Sequence, residues 1–130
     1  MVMDITVRED MMEIEIDRFV TIEDVIETVN RYADDFDRLP SDHKLVINAT
    51  KCRSNIRLRD LSKLDEVNRL LSEKFDLLKV AILLSDPMYT AICMVYQQLI
   101  KSDRYFVQVF STQSAAYSWL GKDVYSAKEY

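Results

Sequence analysis

The chain has 130 residues, enough for one domain with a single core. Hydrophobic residues make up 48% and charged residues 30%, a balance that excludes a disordered segment, and no apolar run approaches the ~20 residues of a membrane span. A net charge of −5 argues against nucleic acid as the main partner, and one glycine, Gly121, leaves no material for a glycine-rich phosphate loop.

Hydrophobic periodicity alternates between 2 and 3.6 along the chain. Met3, Ile5 and Val7 alternate with polar residues and predict a strand. Arg8-Glu9-Asp10 reads as a turn, and Met12, Ile14 and Ile16 predict a second strand, antiparallel to the first. Its other face, Glu13, Glu15 and Asp17, is expected in solvent. Thr21 and Asp24 form a capping box for a first helix, whose apolar stripe runs through Ile22, Val25, Ile26, Val29, Ala33 and Phe36. Leu39-Pro40-Ser41-Asp42 ends it. A short strand, Lys44 to Ala49, leads into a polar, basic loop. Leu58, Leu61, Leu64, Leu71 and Phe75 mark a second helix, and the apolar run Val80 to Leu84 predicts a strand buried on both faces.

Asp86-Pro87 starts a third helix, with Ile92, Val95, Tyr96, Leu99 and Ile100 as its inner stripe. Tyr105 to Phe110 is a last strand, and Thr112 caps a short fourth helix ending at Gly121. Residues 122–130 read as a polar tail on a single domain, 1–121. The order ββαβαβαβα implies an α/β fold: a mostly parallel central sheet with right-handed crossovers and an N-terminal antiparallel hairpin.

Three groups of residues bear on function. Lys51, Arg53, Arg57 and Arg59 place four cations between a strand end and a helix, where α/β sheets bind ligands. Ser54 and Asn55 within them are expected to cap the following helix. Cys52, flanked by Lys51 and Arg53, is a thiol whose pKa those charges would lower, but no base accompanies it. His43 reads as an exposed turn residue, and Cys93 as a small apolar packing residue. Met88, Tyr89, Met94 and Tyr96 give the third helix an adaptable aromatic surface. The two cysteines form no CxxC, and the N-terminus has no export signal, so the expectation is a cytoplasmic protein with reduced thiols.

The segments Phe19-Val-Thr-Ile-Glu-Asp-Val, Lys44-Leu-Val-Ile-Asn-Ala, Val80-Ala-Ile-Leu-Leu-Ser and Val107-Gln-Val-Phe-Ser-Thr-Gln-Ser-Ala-Ala-Tyr-Ser-Trp-Leu together resemble the STAS domain. That is the fold of anti-sigma-factor antagonists and of the cytoplasmic ends of sulphate transporters. The resemblance covers residues 3 to 121 and implies a STAS-like fold with a partner-facing loop after the third strand. Anti-sigma antagonists carry an Asp-Ser-Ser-Gly type motif there, with a phosphorylated serine. This chain reads Asn48-Ala-Thr-Lys-Cys-Arg-Ser-Asn-Ile, with Ser54 but no neighbouring aspartate or glycine. A phosphate on Ser54 would be stabilised by Arg53 and Arg57.

The resulting expectation is a non-catalytic, STAS-like interaction or regulatory module without cofactor or metal. It would recognise a protein partner through the loop 50–59 and the start of the second helix. Lys51, Arg53, Ser54, Arg57 and Arg59 would supply the polar contacts, and Ile56 or Leu58 an apolar anchor. A homodimer is compatible with this. The alternative is a small-ligand-binding protein, taking an anion at the basic loop or an apolar molecule near the third helix; a filled interior would speak for the module, an enclosed pocket of ~300 Å³ or more for the ligand.

Overall fold

A computed structural model of the chain describes residues 3–8, 11–31, 42–100 and 103–129. Strands β1 (Met3–Arg8) and β2 (Met11–Ile16) pair antiparallel, with Ile5 opposite Ile14. The two-residue strand β3 (Phe19–Val20) and helix α1 (Ile22–Arg31) follow. Next come β4 (Asp42–Asn48), a second two-residue strand β5 (Arg53–Ser54), a 3-10 turn (Leu58–Asp60) and helix α2 (Leu61–Ser72). The chain continues through β6 (Leu77–Leu83), α3 (Pro87–Leu99), β7 (Tyr105–Phe110) and α4 (Gln113–Glu129). The main sheet has the order β1-β2-β4-β6-β7, parallel from β2 onward, while β3 and β5 pair parallel in a small sheet of their own.

The expected helix starts are met by side chains. The Thr21 N–H donates to Asp24 Oδ2 at 3.0 Å, and the Asp24 N–H donates to Thr21 Oγ1 at 3.2 Å, closing the capping box. Asp86 Oδ1 accepts from the N–H groups of Met88 and Tyr89, and Thr112 Oγ1 from that of Ala115. Ala33, Phe36 and the expected helix end at Leu39-Pro40-Ser41 lie outside the described residues, as do Glu9 and Asp10 of the first turn.

The sheet separates two cores. On one face Met12, Leu45, Leu78, Val80, Tyr96 and Val107 belong to a cluster with Val25 of α1 and Leu64 of α2 packed against it. On the other, α4 brings Ala116 and Leu120 down on Val46, Ala81 and Leu83. Ala81 and Ala116 are both fully buried, and their small side chains let the helix lie close to the strand. Burial on both faces is why β6 reads as a continuous apolar run.

Four expectations are corrected here. His43 lies in β4, not in an exposed turn: it is 3% exposed and stacks on Phe75 at 5.2 Å between ring centroids. Strand β4 begins two residues earlier than expected, so His43 takes the inward position opposite Leu78. Val95 and Leu99 fall outside the buried stripe of α3, which runs through Ile92, Tyr96 and Ile100. Glu13 does not face open solvent; its Oε1 accepts from Tyr117 Oη at 2.7 Å, tying β2 to α4.

The fourth concerns the C-terminus. Helix α4 runs through Gly121 to Glu129, so Gly121 does not end the helix and residues 122–129 are not an irregular tail. Tyr130 lies outside the described residues. A Cβ at Gly121 would meet nothing within 4 Å. Gly121→Ala is therefore expected to raise global stability by ~0.5–1 kcal/mol, because the alanine has less backbone freedom to lose. Urea denaturation measures this, and a loss of stability would mean that the glycine is needed as a helix stop.

Candidate functional site

The segment between β4 and the 3-10 turn is held at both ends. The Ala49 N–H donates to the Leu83 carbonyl at 2.9 Å, and Ser85 Oγ to the Thr50 carbonyl at 2.9 Å. Asn48 Oδ1 accepts from the Thr50 N–H and hydroxyl, closing an Asx turn. The Arg53 N–H then donates to the Arg18 carbonyl, and the chain runs extended beside β3. In an extended segment side chains alternate between faces. Cys52, Ser54 and Ile56 accordingly turn inward, while Lys51, Arg53, Asn55 and Arg57 are exposed.

Inside lies a cavity of about 200 Å³ between the sheet and helices α1, α2 and α3. The sheet supplies its floor in register. Leu45, Val80 and Val107 form one row, Ile14, Ile47 and Ile82 the next, and Ile16, Ala49 and Leu84 line its upper end. Val25 of α1, Leu64 of α2 and Ile92 of α3 form the roof. No charged side chain is among the described lining residues. The void persists because the floor is fixed by ladder hydrogen bonds, while α1 and α2 pack on each other and α3 packs on β7.

The polar groups on its wall are already bonded to protein. Ser54 Oγ donates to the Val20 carbonyl at 2.6 Å and accepts from the Ile56 N–H at 3.0 Å. Tyr89 Oη accepts from the Ser54 N–H and donates to the Ser54 carbonyl, fastening α3 to the loop. Thr28 Oγ1 donates to the Asp24 carbonyl at 2.8 Å. At the lower end the hydroxyls of Tyr96 and Tyr105 lie 3.4 Å apart. Burial, with Tyr96 and then Asp65 adding to it, raises the Tyr105 hydroxyl well above its ordinary range, so it keeps its proton.

Both cysteines line this cavity, and both are free thiols. Burial pushes Cys93 up to about 11, with the Cys52 charge a smaller cause, and burial also raises Cys52. The expectation of a lowered Cys52 thiol is thus reversed: Cys52 is half-buried while its neighbours Lys51 and Arg53 are exposed, and burial outweighs their charges. Native-state alkylation of Cys93 at pH 7.5 is expected to be at least ~10-fold slower than in urea, since the thiolate is the reactive form. Its rate should climb with pH toward about 11; equal native and denatured rates at pH 7.5 would contradict the burial argument. The same proton affects stability. The contribution is complete below the ordinary value of 9.0 and is lost as pH rises from there toward about 11.

Lys51, Arg53, Arg57 and Arg59 are all exposed, and none takes part in the described ion pairs. Leu58, between Arg57 and Arg59, is 57% exposed. Neither Ser54 nor Asn55 caps a helix: Ser54 sits in β5, and the following turn is closed by Asp60 Oδ2 accepting from the Arg57 N–H at 2.9 Å. His43 is buried and stacked on Phe75. Among the described residues no three His, Cys, Asp or Glu side chains converge as metal ligands. No described helix is long and apolar enough to cross a membrane.

Sequence reasoning missed the inward row Cys52, Ser54 and Ile56. The alternation from Lys51 to Arg57 was the available signal. Cysteine and serine are too weakly apolar for it to register as a strand.

No protein-family model matches the chain, and no curated protein matches it at a significant level. Among solved structures it is similar to an uncharacterised protein of the DUF3478 family from Shewanella loihica, described as having a SpoIIAA-like fold. The TM-score is 0.61 and the identity 15%, over 91% of each chain. The SpoIIAA-like fold is the STAS fold, and this chain has it.

Proposed function

We propose that this STAS-like domain is a non-catalytic binding protein for a small apolar molecule held between the sheet and α3. The observation that carries the reading is the cavity of about 200 Å³; it is smaller than the ~300 Å³ at which ligand pockets begin, so the occupant is a small one. Protein interiors are packed as densely as organic crystals, so a void of this size is an exception that needs a reason. An aliphatic cavity of ~150 Å³ in another protein stays dry and takes benzene. The bonded state of Ser54, Tyr89 and Thr28 leaves the wall apolar in effect, which favours an apolar occupant over water.

Methyl NMR tests this directly. Toluene or 1-heptanol is expected to shift the resonances of Ile82, Ile92 and Val107, leaving Val46 and Leu120 on the opposite face unmoved. Shifts spread over both faces, or none at millimolar solute, would sink the proposal.

The second reading is the interaction module, favoured by the exposed Leu58 with Arg57 and Arg59 on either side. A partner held by the wild type and lost from the Arg53→Ala, Arg57→Ala, Arg59→Ala variant, with the methyl shifts intact, would support it.

A further inference from the structure

Helix α3 has an outer face without charge. No residue from Pro87 to Ile100 is charged, in a chain that is 30% charged. Ile92, Tyr96 and Ile100 serve the core. Away from it Met88, Met94, Val95 and Leu99 are 59%, 51%, 43% and 54% exposed. Ala91 and Gln98, also exposed, complete the face. Met88 and Val95 lie seven residues apart, as do Ala91 and Gln98, the spacing of a seam between paired helices.

The four large side chains leave roughly 400 Å² of apolar surface in water, a patch of the size that is often functional. An interface of standard size takes ~800 Å² from each partner, of which about 57%, or ~450 Å², is apolar. This face is therefore large enough to form the centre of one.

The charges select the occupant. A lipid surface attracts a helix through flanking lysines and arginines, and α3 has none. A different protein is steered and chosen by complementary charge, and this face has no charge to offer. A second copy needs none. It brings the same apolar face, while the net charge of −5 on each copy disfavours contact through the charged surfaces elsewhere. The face also fits itself in shape. About a two-fold axis between Ala91 and Val95, antiparallel helices set the Val95 of each copy over the Ala91 of the other, large on small.

We infer that the chain forms a two-fold dimer through the outer face of α3, with Met88, Ala91, Met94, Val95 and Leu99 at its centre. This is independent of what fills the cavity.

Sedimentation equilibrium should show a dimer of micromolar or tighter dissociation constant, within the range of interfaces of this size. Added salt should tighten it, because the two copies repel each other elsewhere. Val95→Glu should weaken it at least ~100-fold, since each copy would bury an unpaired carboxylate in the seam. Val95 is exposed in the single copy, so the variant should keep its circular dichroism. Leu58→Glu, at an exposed apolar residue outside α3, should leave the dimer intact. Dilution of the wild type, which needs no variant, should move the methyl signals of Met88 and Met94 and not that of Met12 in the core. A wild type still monomeric at ~1 mM overturns the inference. So does a dimer that survives Val95→Glu, that is lost in Leu58→Glu, or that dissociates with the Met88 and Met94 signals unmoved. A monomer that binds zwitterionic vesicles through α3 also overturns it and gives the face to a lipid surface.

Discussion

Cys93→Phe is expected to weaken uptake of small apolar solutes by at least ~10-fold, with the melting temperature unchanged or higher. Cys93 projects from α3 into the cavity, one helical turn beyond Tyr89, which bonds Ser54. A benzyl group in place of the thiol occupies space that is now empty, so it gains contacts without pushing packed neighbours aside. A solute must then displace the ring or the wall, an overpacking penalty of ~1–3 kcal/mol that falls on the complex alone. Calorimetry with 1-heptanol and a thermal scan of the two proteins decide the matter. A folded variant that binds as the wild type does would place the solute elsewhere. A variant that unfolds would mean that the void collapses in solution.

Leu78→Ala is the substitution expected to cost the most stability, ~2–5 kcal/mol. Leu78 is 1% exposed and lies below the floor row of the cavity, opposite His43 on β4 and Tyr105 on β7. The loss has a transfer part and a cavity part. The second is large where the surroundings cannot close in, and here parallel strands on both sides hold the backbone in place. The Leu78 N–H itself donates to the Arg104 carbonyl at 2.7 Å. Urea unfolding read by circular dichroism measures the change. A loss under ~1 kcal/mol would show that the strands relax into the gap, and the persistence of the neighbouring void would need another account.

Much of the fold was legible because its determinants are local. The Thr21–Asp24 and Asp86 caps, the alternation in β2 and the apolar run of β6 each follow from residues within one or two turns of each other. Their order then leaves few topologies, since parallel crossovers are right-handed. The site was legible only in part. The cations of the loop were visible as a cluster, and the apolar face of α3 as a stripe. That the two belong to one place depends on the Tyr89–Ser54 contact, which spans 35 residues.

Period and capping thus determined by themselves that this chain is a mostly parallel α/β domain with helices between its strands. The sequence also places four cations within nine residues, Lys51 to Arg59, after β4. Tertiary structure alone decided that His43 is interior, that burial raises the Cys52 thiol, and that the core holds a cavity. Each of these is set by which surface arrives from a distant part of the chain. Burial raises a thiol and hides a histidine only once helices and sheet have closed over them. A cavity is a property of the fit between elements, and no single element encodes it.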